Sequence, residues 1–354
     1  MKMTLDIGGT KTLWTIWHDA RILDRGTAAT NTITDFTAFI RLQIDSFFTD
    51  HADIVSSAGS SPFTHLAFAI AGPVTDDKLQ LTNTGQIIDL AEIRAAFPDA
   101  EIAILNDLEA LAHSINHLTE PDQLALFRSA ASSDAKGTLV DSSSSRESAE
   151  ATAPSGSSAS VGAKAVLSIG TGLGVSAVSR EGSIMPSEGG HIDFAPIGEK
   201  QKQIYDKLES QYGHISYERL LSGQGLSNIF SIILEELESG DSDTMACRPR
   251  QKMHPAQITA LAKSGNRTAL RAFHIFSEIL GAACGNYALT YMATGGIYIG
   301  GGMIPKILPL IDKEAFENAY LNKGRFKDFL NNIPVYVILD ETAPSIGAMR
   351  AISL

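Results

Sequence analysis

The chain has 354 residues, more than one hydrophobic core usually serves, so we expect two domains. Its 28 Lys and Arg residues face 40 Asp and Glu residues, and the net charge of −12 disfavours nucleic acid and anionic lipid as partners. The two cysteines form no CxxC pair, which argues against a disulfide framework or a cysteine-rich zinc site. The chain begins without a signal-peptide pattern, and we expect a soluble, cytoplasmic protein without a membrane span.

The first third of the chain alternates strand and helix patterns. Period-two alternation and short apolar runs predict strands, in chain order, at 3–7, 12–17, 20–26, 65–72 and 101–105. The first two should pair as a hairpin across Gly8 and Gly9. Helical periods predict helices at 34–48 and 106–115, with Thr34 or Asp35 as the N-cap of the first.

A serine-rich segment interrupts this order. Residues 141–160 contain nine serines and almost no large apolar side chain, so they cannot bury enough surface to offset their ordering entropy. We expect a disordered surface insertion over about 129–163, which is either a passive linker or a phosphorylation loop.

The second half restarts with the order of the first: strand, glycine turn, strand. The pattern predicts strands at 165–170, 174–179, 297–300 and 335–339. It predicts helices at 199–211, 216–222, 224–239, 267–292 and 342–352, with a weak loop over 239–254. We therefore expect a small α/β domain of residues 1–106 plus about 341–354, a large α/β domain of residues 107–340, and a nucleotide cleft between them.

Two glycine turns are candidate phosphate-binding loops, LDIGGTKT (5–12) and SIGTGLGVS (168–176). Glycine lets a backbone approach phosphate oxygens closely, so that its N–H groups can bind them. The first turn is neither a Walker A loop nor a dinucleotide-binding GxGxxG motif. Its Asp6 could hold Mg²⁺ through water. The alternative is an ordinary tight hairpin with an exposed Asp6.

The pair Asn106 and Asp107 stands where an apolar strand becomes a helix. Residues at strand ends point into the active-site crevice of open α/β sheets. A carboxylate there can accept the proton of a sugar hydroxyl as it attacks phosphorus. Asn and Asp are also common N-caps, so a structural role is an alternative that can coexist with the functional one.

Three further glycine-containing segments carry polar side chains or an open backbone. In SEGGHIDFAP (187–196), Glu188 and His191 suit vicinal sugar hydroxyls, and a solvent loop with an incidental histidine is the alternative. In SYERLLSGQGL (216–226), Glu218 opens a predicted helix, where a carboxylate is favourable for structure alone. GGIYIGGGM (295–303) ends a buried strand in three glycines, which either border an adenosine or allow close helix–sheet packing.

In order and spacing, these segments resemble the bacterial glucokinase family. The resemblance rests on LDIGGT, IAGPV, LTN, LNDLEA, GTGLG, EGGHIDFAP, ERLLSGQGL, GGIYIGGGMIPK and KGRFKDFLNNIPVYVI. It covers nearly the whole chain apart from 129–163 and 239–254. It implies a two-domain actin-like ATPase (ribonuclease H-like) fold with a cleft between the domains. It also implies a cytoplasmic enzyme, often a homodimer, that transfers the γ-phosphate of ATP to the 6-hydroxyl of glucose at the entry to glycolysis.

The resemblance further implies a role for each matching residue. Asp107 would be the general base toward the sugar hydroxyl. The sugar would be hydrogen-bonded by Asn83, Asn106, Glu188, His191 and Glu218. The nucleotide would be bound by Asp6, Ile7, Gly8, Gly9, Thr10, Lys11, Gly170, Thr171, Gly172, Gly301 and Gly302. Asp6 would in addition reach Mg²⁺ through a water molecule.

Two positions depart from the family pattern. The family usually has an aromatic residue shortly after the TN pair, where this chain has Thr84-Gly85-Gln86, and Lys11 stands where glucokinases often have Asn. A kinase for another hexose or an N-acetylhexosamine is therefore one alternative. A non-catalytic sugar sensor is a second, although the fused helix-turn-helix expected of it is not seen. An actin-like filament or chaperone ATPase is a third, and the sugar-site residues argue against it.

Overall fold

The computed structural model describes residues 1–18, 20–51, 63–70, 77–81, 85–119, 123–127, 162–239 and 252–352. Most of the predicted insertion over 129–163, most of the loop over 239–254, and Asn83 lie outside these residues. The chain divides into two units. Unit 1 consists of Met1–Asp122 and Asp340–Leu354, and unit 2 consists of Gln123–Leu339.

A five-stranded sheet forms the centre of unit 1. Its strands are β1 (Lys2–Ile7), β2 (Lys11–His18), β3 (Arg21–Ala29), β4 (His65–Ile70) and β7 (Glu101–Asn106). Strands β5 (Lys78–Gln80) and β6 (Ile87–Asp89) form a separate antiparallel pair and come between β4 and β7 in the chain. The sheet order is β3-β2-β1-β4-β7, with β1–β2–β3 antiparallel and β4 and β7 parallel to β1. The predicted hairpin and its third strand are confirmed.

The helices of unit 1 are α1 (Phe36–Asp50), α2 (Leu90–Ala96), α3 (Asp107–Ser114) and, from the end of the chain, α11 (Ala343–Ala351). The N-cap of α1 is Asp35, whose carboxylate accepts the Ala38 N–H at 2.9 Å. The buried residues Phe36, Ile40, Ile44 and Phe47 form the inner face of α1. Helix α2 and the β5–β6 pair were not predicted.

Helix α3 belongs to unit 1, so the first boundary lies after residue 122 and not after 106. The reason is the packing of α3 on α11. A Cβ added to Gly347 would stand 1.6 Å from the Ala110 carbonyl oxygen, which shows that the two backbones touch. The small domain therefore gains the whole helix that begins at Asp107.

The sheet of unit 2 repeats the strand order of unit 1. Its strands are β8 (Gln123–Phe127), β9 (Lys164–Ile169), β10 (Leu173–Val178), β11 (Ile184–Ser187), β12 (Ile297–Gly300) and β13 (Val335–Ile338). The order β11-β10-β9-β12-β13 matches β3-β2-β1-β4-β7, and β8 is added antiparallel at the far edge. The predicted similarity of the two halves is confirmed at the level of topology. Strands β8 and β11 were not predicted.

The helices of unit 2 are α4 (Gly198–Tyr212), α5 (Gly223–Ser239), α6 (Pro255–Lys263), α7 (Arg267–Thr290), α8 (Ile304–Ile307), α9 (Lys313–Leu321) and α10 (Lys327–Leu330). Helix α7 is buried along most of its length, and its Gly281 lets it touch the backbone of α9 at Phe316. The helix predicted at 216–222 is wrong. Only Tyr217–Arg219 form a 3₁₀ turn, because the Gly223 N–H donates to the Gly170 carbonyl instead of continuing the turn.

Gly347→Ala should destabilise unit 1, because the added methyl group would overlap the Ala110 carbonyl oxygen. Overpacked cores typically lose about 1–3 kcal/mol, and a clash against backbone belongs at the upper end of that range. Thermal denaturation followed by circular dichroism measures the effect. Glu109→Ala, on the exposed face of α3, is the control and should leave the melting temperature nearly unchanged. Equal melting curves for Gly347→Ala and wild type would contradict the packing described.

Candidate active site

Three parallel strands of unit 1 end at the same edge of its sheet. In the sheet register, Ile7 of β1 pairs with Ile70 of β4, and Ile70 pairs with Asn106 of β7. Asp6 and Asp107 therefore lie at the carboxyl edge, where open α/β sheets bind their ligands. The two carboxylates are close enough for the charge of Asp107 to raise the pKa of Asp6.

Asp107 is the first residue of α3, directly after the N-cap Asn106. The Leu108 N–H donates both to Asn106 Oδ1 at 2.9 Å and to Asp107 Oδ1 at 2.8 Å. Burial raises the pKa of Asp107, and the N–H groups of Leu108 and of Asp107 itself partly oppose that rise. Among the described residues, no other residue donates a hydrogen bond to Asp107 Oδ2. The N-cap role thus falls on Asn106 and the predicted catalytic role on its neighbour, and no other residue engages one oxygen of Asp107.

Asp6 is the more strongly perturbed carboxyl group. Burial raises its pKa to about 7, the charge of Asp107 adds to the rise, and the charge of Lys11 opposes it. Lys11 itself is exposed and pairs with Glu341, its Nζ lying 2.6 Å from Glu341 Oε2. Asp6 is therefore no exposed hairpin residue, and a cation beside it would favour its ionised form.

The loop between β1 and β2 is fixed by its own hydrogen bonds. The Gly8 N–H donates to the Lys11 carbonyl at 3.0 Å. The Thr30 hydroxyl donates to the Gly8 carbonyl at 2.7 Å, and the Thr30 N–H donates to the Thr10 carbonyl at 3.1 Å. The Gly8 N–H is thus occupied, and the backbone donors left at the tip are those of Gly9 and Thr10. No pattern in the sequence indicated that Thr30 takes part in this loop.

One predicted nucleotide-binding side chain faces away from the site. The Ile7 side chain is fully buried in the core of unit 1. Ile7 lies on β1 within the ladder to both neighbouring strands. Its contribution to a ligand is therefore limited to its backbone.

The second glycine turn lies between β9 and β10 of unit 2. The Gly170 N–H donates to the Gly172 carbonyl at 3.0 Å, and the Gly223 N–H donates to the Gly170 carbonyl at 2.9 Å. The Leu173 N–H donates to Glu218 Oε2 at 3.0 Å. The exposed Thr171 stands at the tip of this turn.

The glycines in and beside this turn differ in whether the fold itself requires a glycine at their position. Gly301 has φ +94°, and a Cβ there would lie 2.4 Å from the Ile169 carbonyl oxygen, so the fold itself demands glycine. A Cβ at Gly170 or Gly302 would meet no described atom within 4 Å. The chain therefore has room at Gly170 and Gly302 that its own packing does not use, and this room fits a ligand that lies against the backbone.

Helix α7 holds the segment that carries Glu188 and His191. The Tyr287 hydroxyl donates to the Gly189 carbonyl at 2.6 Å, and the Tyr291 hydroxyl donates to Ser187 Oγ at 3.0 Å. On the other side the segment touches β10, since a Cβ on Gly190 would lie 1.9 Å from the Leu173 carbonyl oxygen. Glu188 and His191 are exposed on this fixed turn.

The same helix also supports the turn that carries Glu218. Asn286 Nδ2 donates to the Tyr217 hydroxyl at 2.6 Å. His191 Nδ1 lies 4.0 Å from Glu218 Oε1, so the two predicted sugar-binding segments meet. Sequence reasoning missed Asn286, Tyr287 and Tyr291. The available signal was the presence of side chains with polar groups at the end of an otherwise apolar helix.

A separate cavity of unit 2 contains none of the predicted site residues. It measures about 790 Å³ and lies beside α4, α7 and α9, with His274, Glu278 and Asp312 in its wall. His274 Nδ1 lies 2.7 Å from Asp312 Oδ2.

In the described part of the chain, no group of three or more His, Cys, Asp or Glu residues could hold a metal ion. None of the described helices is long and apolar enough to cross a membrane.

Comparison with known proteins gives consistent results. The glucokinase family model matches residues 3–353. Glucokinase of Klebsiella pneumoniae (strain 342) is 33% identical over 286 residues, which are 79% of this chain and 77% of that protein. The solved structure of a glucokinase from an Antarctic psychrotroph aligns with a TM-score of 0.74 at 22% identity, covering 99% of this chain and 98% of that one. A ROK family glucokinase from Streptomyces griseus, in complex with glucose and AMPPNP, aligns with a TM-score of 0.57 at 15% identity, covering 99% and 98%.

Asp6→Asn should stabilise the substrate-free protein at high pH. The folded-state pKa of Asp6, about 7, lies above the ordinary value of 3.8, so ionisation disfavours folding. This penalty is absent at acid pH and develops as the pH rises from the ordinary value through 7. We expect a melting temperature raised by roughly 2–4 °C near pH 8, by clearly less at about pH 5, and nearly unchanged at about pH 3.5.

Asp45→Asn, the same chemical change at an exposed position on α1, is the control for this measurement. It should show no such pH dependence. A melting temperature for Asp6→Asn that follows wild type at all of these pH values would contradict the burial of a destabilised carboxylate.

Proposed function

The chain belongs to the glucokinase family, and we propose that Asp107 is the base with which it transfers the γ-phosphoryl group of ATP to the 6-hydroxyl of glucose. The enzyme is an ATP-dependent sugar kinase with the actin-like ATPase fold. One observation carries the role of Asp107: its carboxylate stands at the carboxyl edge of the unit 1 sheet, is anchored through Oδ1, and has a raised pKa. A base is most effective when its pKa approaches the working pH.

The proposed step moves one proton and one phosphoryl group. Asp107 Oδ2 accepts the proton of the 6-hydroxyl, and the sugar oxygen forms a bond to the γ-phosphorus. The bond from that phosphorus to the oxygen bridging the β- and γ-phosphates breaks, and ADP leaves. The anchored Oδ1 keeps the carboxylate in place while Oδ2 takes the proton.

The sugar-binding roles are proposals as well. We assign hydrogen bonds with the sugar hydroxyls to Asn83 and Asn106 of unit 1 and to Glu188, His191 and Glu218 of unit 2. The Asn106 side chain uses Oδ1 as an N-cap, so its Nδ2 is the atom proposed to donate to the sugar.

The nucleotide is proposed to bind through the two glycine turns. In unit 1 the proposed contacts come from Gly8, Gly9, Thr10 and Lys11, with the backbone of Ile7 beneath them. In unit 2 they come from Gly170, Thr171 and Gly172, and Gly301 and Gly302 border the adenosine. The unused room at Gly170 and Gly302 supports these assignments.

We propose Asp6 as the protein group that reaches Mg²⁺, through a water molecule. Mg²⁺ prefers oxygen ligands and is commonly bound by one or two carboxylates plus the substrate phosphates, which fits a single half-buried Asp. When bound, the ion would neutralise the charge of the phosphates. A nearby cation would also draw the pKa of Asp6 down from about 7.

Glucose remains the proposed sugar in spite of the altered TN segment. Gln86 belongs to the run Thr84-Gly85-Gln86, near which the family usually has an aromatic residue, and its Nε2–H donates to the Ile33 carbonyl oxygen at 2.7 Å. Its side chain is thus engaged within unit 1, and the altered residue need not change the contacts with sugar.

Family resemblance supports two further proposals, a homodimer and a cytoplasmic enzyme, which light scattering and cell fractionation would test.

A coupled kinase assay over glucose, mannose, fructose and N-acetylglucosamine tests the sugar. We expect glucose to have the highest kcat/KM. A preference for N-acetylglucosamine would favour the alternative that the chain is an N-acetylhexosamine kinase, which the altered TN segment suggests. ATP hydrolysis that does not respond to any sugar would contradict a sugar kinase.

Asp107→Asn should lower kcat by at least about 10²-fold while glucose still binds, because the amide keeps the shape but cannot accept the proton. Stopped assays give kcat, and calorimetry gives the glucose affinity. Glu109→Gln, the same change at an exposed position of α3, should retain full turnover. In wild type, kcat/KM should fall as the pH drops through the pKa of Asp107, which burial raises above its ordinary value. Near-normal turnover of Asp107→Asn would remove the base assignment.

A further inference from the structure

Glu218 is the residue of unit 2 that touches both the phosphate turn and the sugar segment. Its Oε2 accepts the Leu173 N–H at 3.0 Å, at the point where the turn Gly170–Gly172 enters β10. Its Oε1 lies 4.0 Å from His191 Nδ1. The two oxygens of one carboxylate therefore face two different segments.

The glycine at position 172 is explained by this carboxylate. A Cβ on Gly172 would lie 2.5 Å from Glu218 Oε2, too close for any contact. The neighbouring Gly170 differs, since a Cβ there would meet open space. Gly172 therefore makes room for Glu218, whereas Gly170 leaves room for a ligand.

The position of Glu218 is itself fixed from two sides. It lies in the 3₁₀ turn Tyr217–Arg219, whose Tyr217 hydroxyl accepts Asn286 Nδ2 at 2.6 Å. Four residues beyond this turn, at the start of α5, the Gly223 N–H donates to the Gly170 carbonyl at 2.9 Å. The segment from Glu218 to Gly223 thus contacts both ends of the glycine loop, one through the carboxylate and the other through the backbone.

We propose that Glu218 is a positioning residue for the nucleotide in addition to being a sugar ligand. Its Oε2 holds the loop Gly170–Gly172 in the form that binds phosphate, and its Oε1 takes part in binding the sugar beside His191. The sugar role rests on the proposed function, whereas the nucleotide role rests on the hydrogen bond to Leu173. A sugar bound to one oxygen would thereby also steady the loop that binds the nucleotide.

Glu218 affects nucleotide binding in two opposite ways, through its charge and through its hydrogen bond to the loop, and two substitutions separate them. The negative charge of Glu218 repels phosphates, so removing the charge alone would tighten nucleotide binding. Removing the acceptor leaves the Leu173 N–H without its partner and loosens the loop, which would weaken nucleotide binding. Glu218→Gln removes the charge but keeps a carbonyl oxygen for Leu173. Glu218→Ala removes both.

The test is the affinity for the non-hydrolysable analogue AMPPNP with Mg²⁺, measured by calorimetry in the absence of sugar. We expect Glu218→Ala to bind about tenfold more weakly than wild type and Glu218→Gln to bind within about twofold of it. Glu188→Ala is the matched control. It removes another proposed sugar ligand, one that is exposed and makes no hydrogen bond to the loop among the described residues, so its AMPPNP affinity should equal that of wild type.

A residue that serves only the sugar would give a different pattern. Unchanged or tighter AMPPNP binding by Glu218→Ala would overturn the proposal, and so would an equal loss in Glu188→Ala. Melting temperatures of all variants show whether they are folded. Glu218→Leu, which also removes the acceptor for the Leu173 N–H but keeps much of the side-chain volume, replaces the alanine variant if that one does not fold. If wild type binds AMPPNP but phosphorylates no sugar, the proposed function fails. The AMPPNP affinities of the Glu218 variants still test whether Glu218 positions the loop.

Discussion

Two carboxylates, Asp6 and Asp107, lose water within electrostatic reach of each other at the carboxyl edge of the unit 1 sheet. Desolvation disfavours the ionised form of both carboxylates, the charge of Asp107 further disfavours that of Asp6, and this costs folding stability at neutral pH. The cost is reduced by the Leu108 N–H, which donates to Asp107, and by the charge of Lys11, which acts on Asp6. The arrangement places the proposed base, whose pKa is raised, beside a carboxyl group that a cation would ionise, and perturbed groups of this kind gather at active sites.

The glycine turns contribute fewer free donors than a sequence motif suggests. In each turn the first glycine N–H is already used, by the Lys11 carbonyl for Gly8 and by the Gly172 carbonyl for Gly170. These bonds make the turns rigid before any ligand arrives. Rigid donors need no reorganisation when negative charge develops on the phosphates in the transition state. Positioning and preorganised electrostatic stabilisation account for most of the catalysis in phosphoryl transfer.

Helix α7 gives the same preorganisation to the segments of unit 2 that are proposed to bind the sugar. Its consecutive residues Asn286 and Tyr287 reach two different segments, one at Tyr217 and the other at Gly189. Because α7 is buried along most of its length, its position is fixed by the core. A sugar-binding side chain on a loop thereby inherits the rigidity of a core helix, which binding sites need for precise geometry.

The sequence by itself determined the elements and the chemical types of the site. Alternating and helical apolar periods located most strands and helices, and Asn106-Asp107 could be placed at a strand-to-helix junction, because periodicity and capping are local properties. The tertiary structure decided the rest. It ended the predicted helix at 216–222 as a short turn through Gly223, pinned Gly8 through Thr30, and set Glu218 against Leu173. Each of these depends on hydrogen bonds between residues far apart in the chain, and a local pattern carries no record of which distant backbone group will accept or donate.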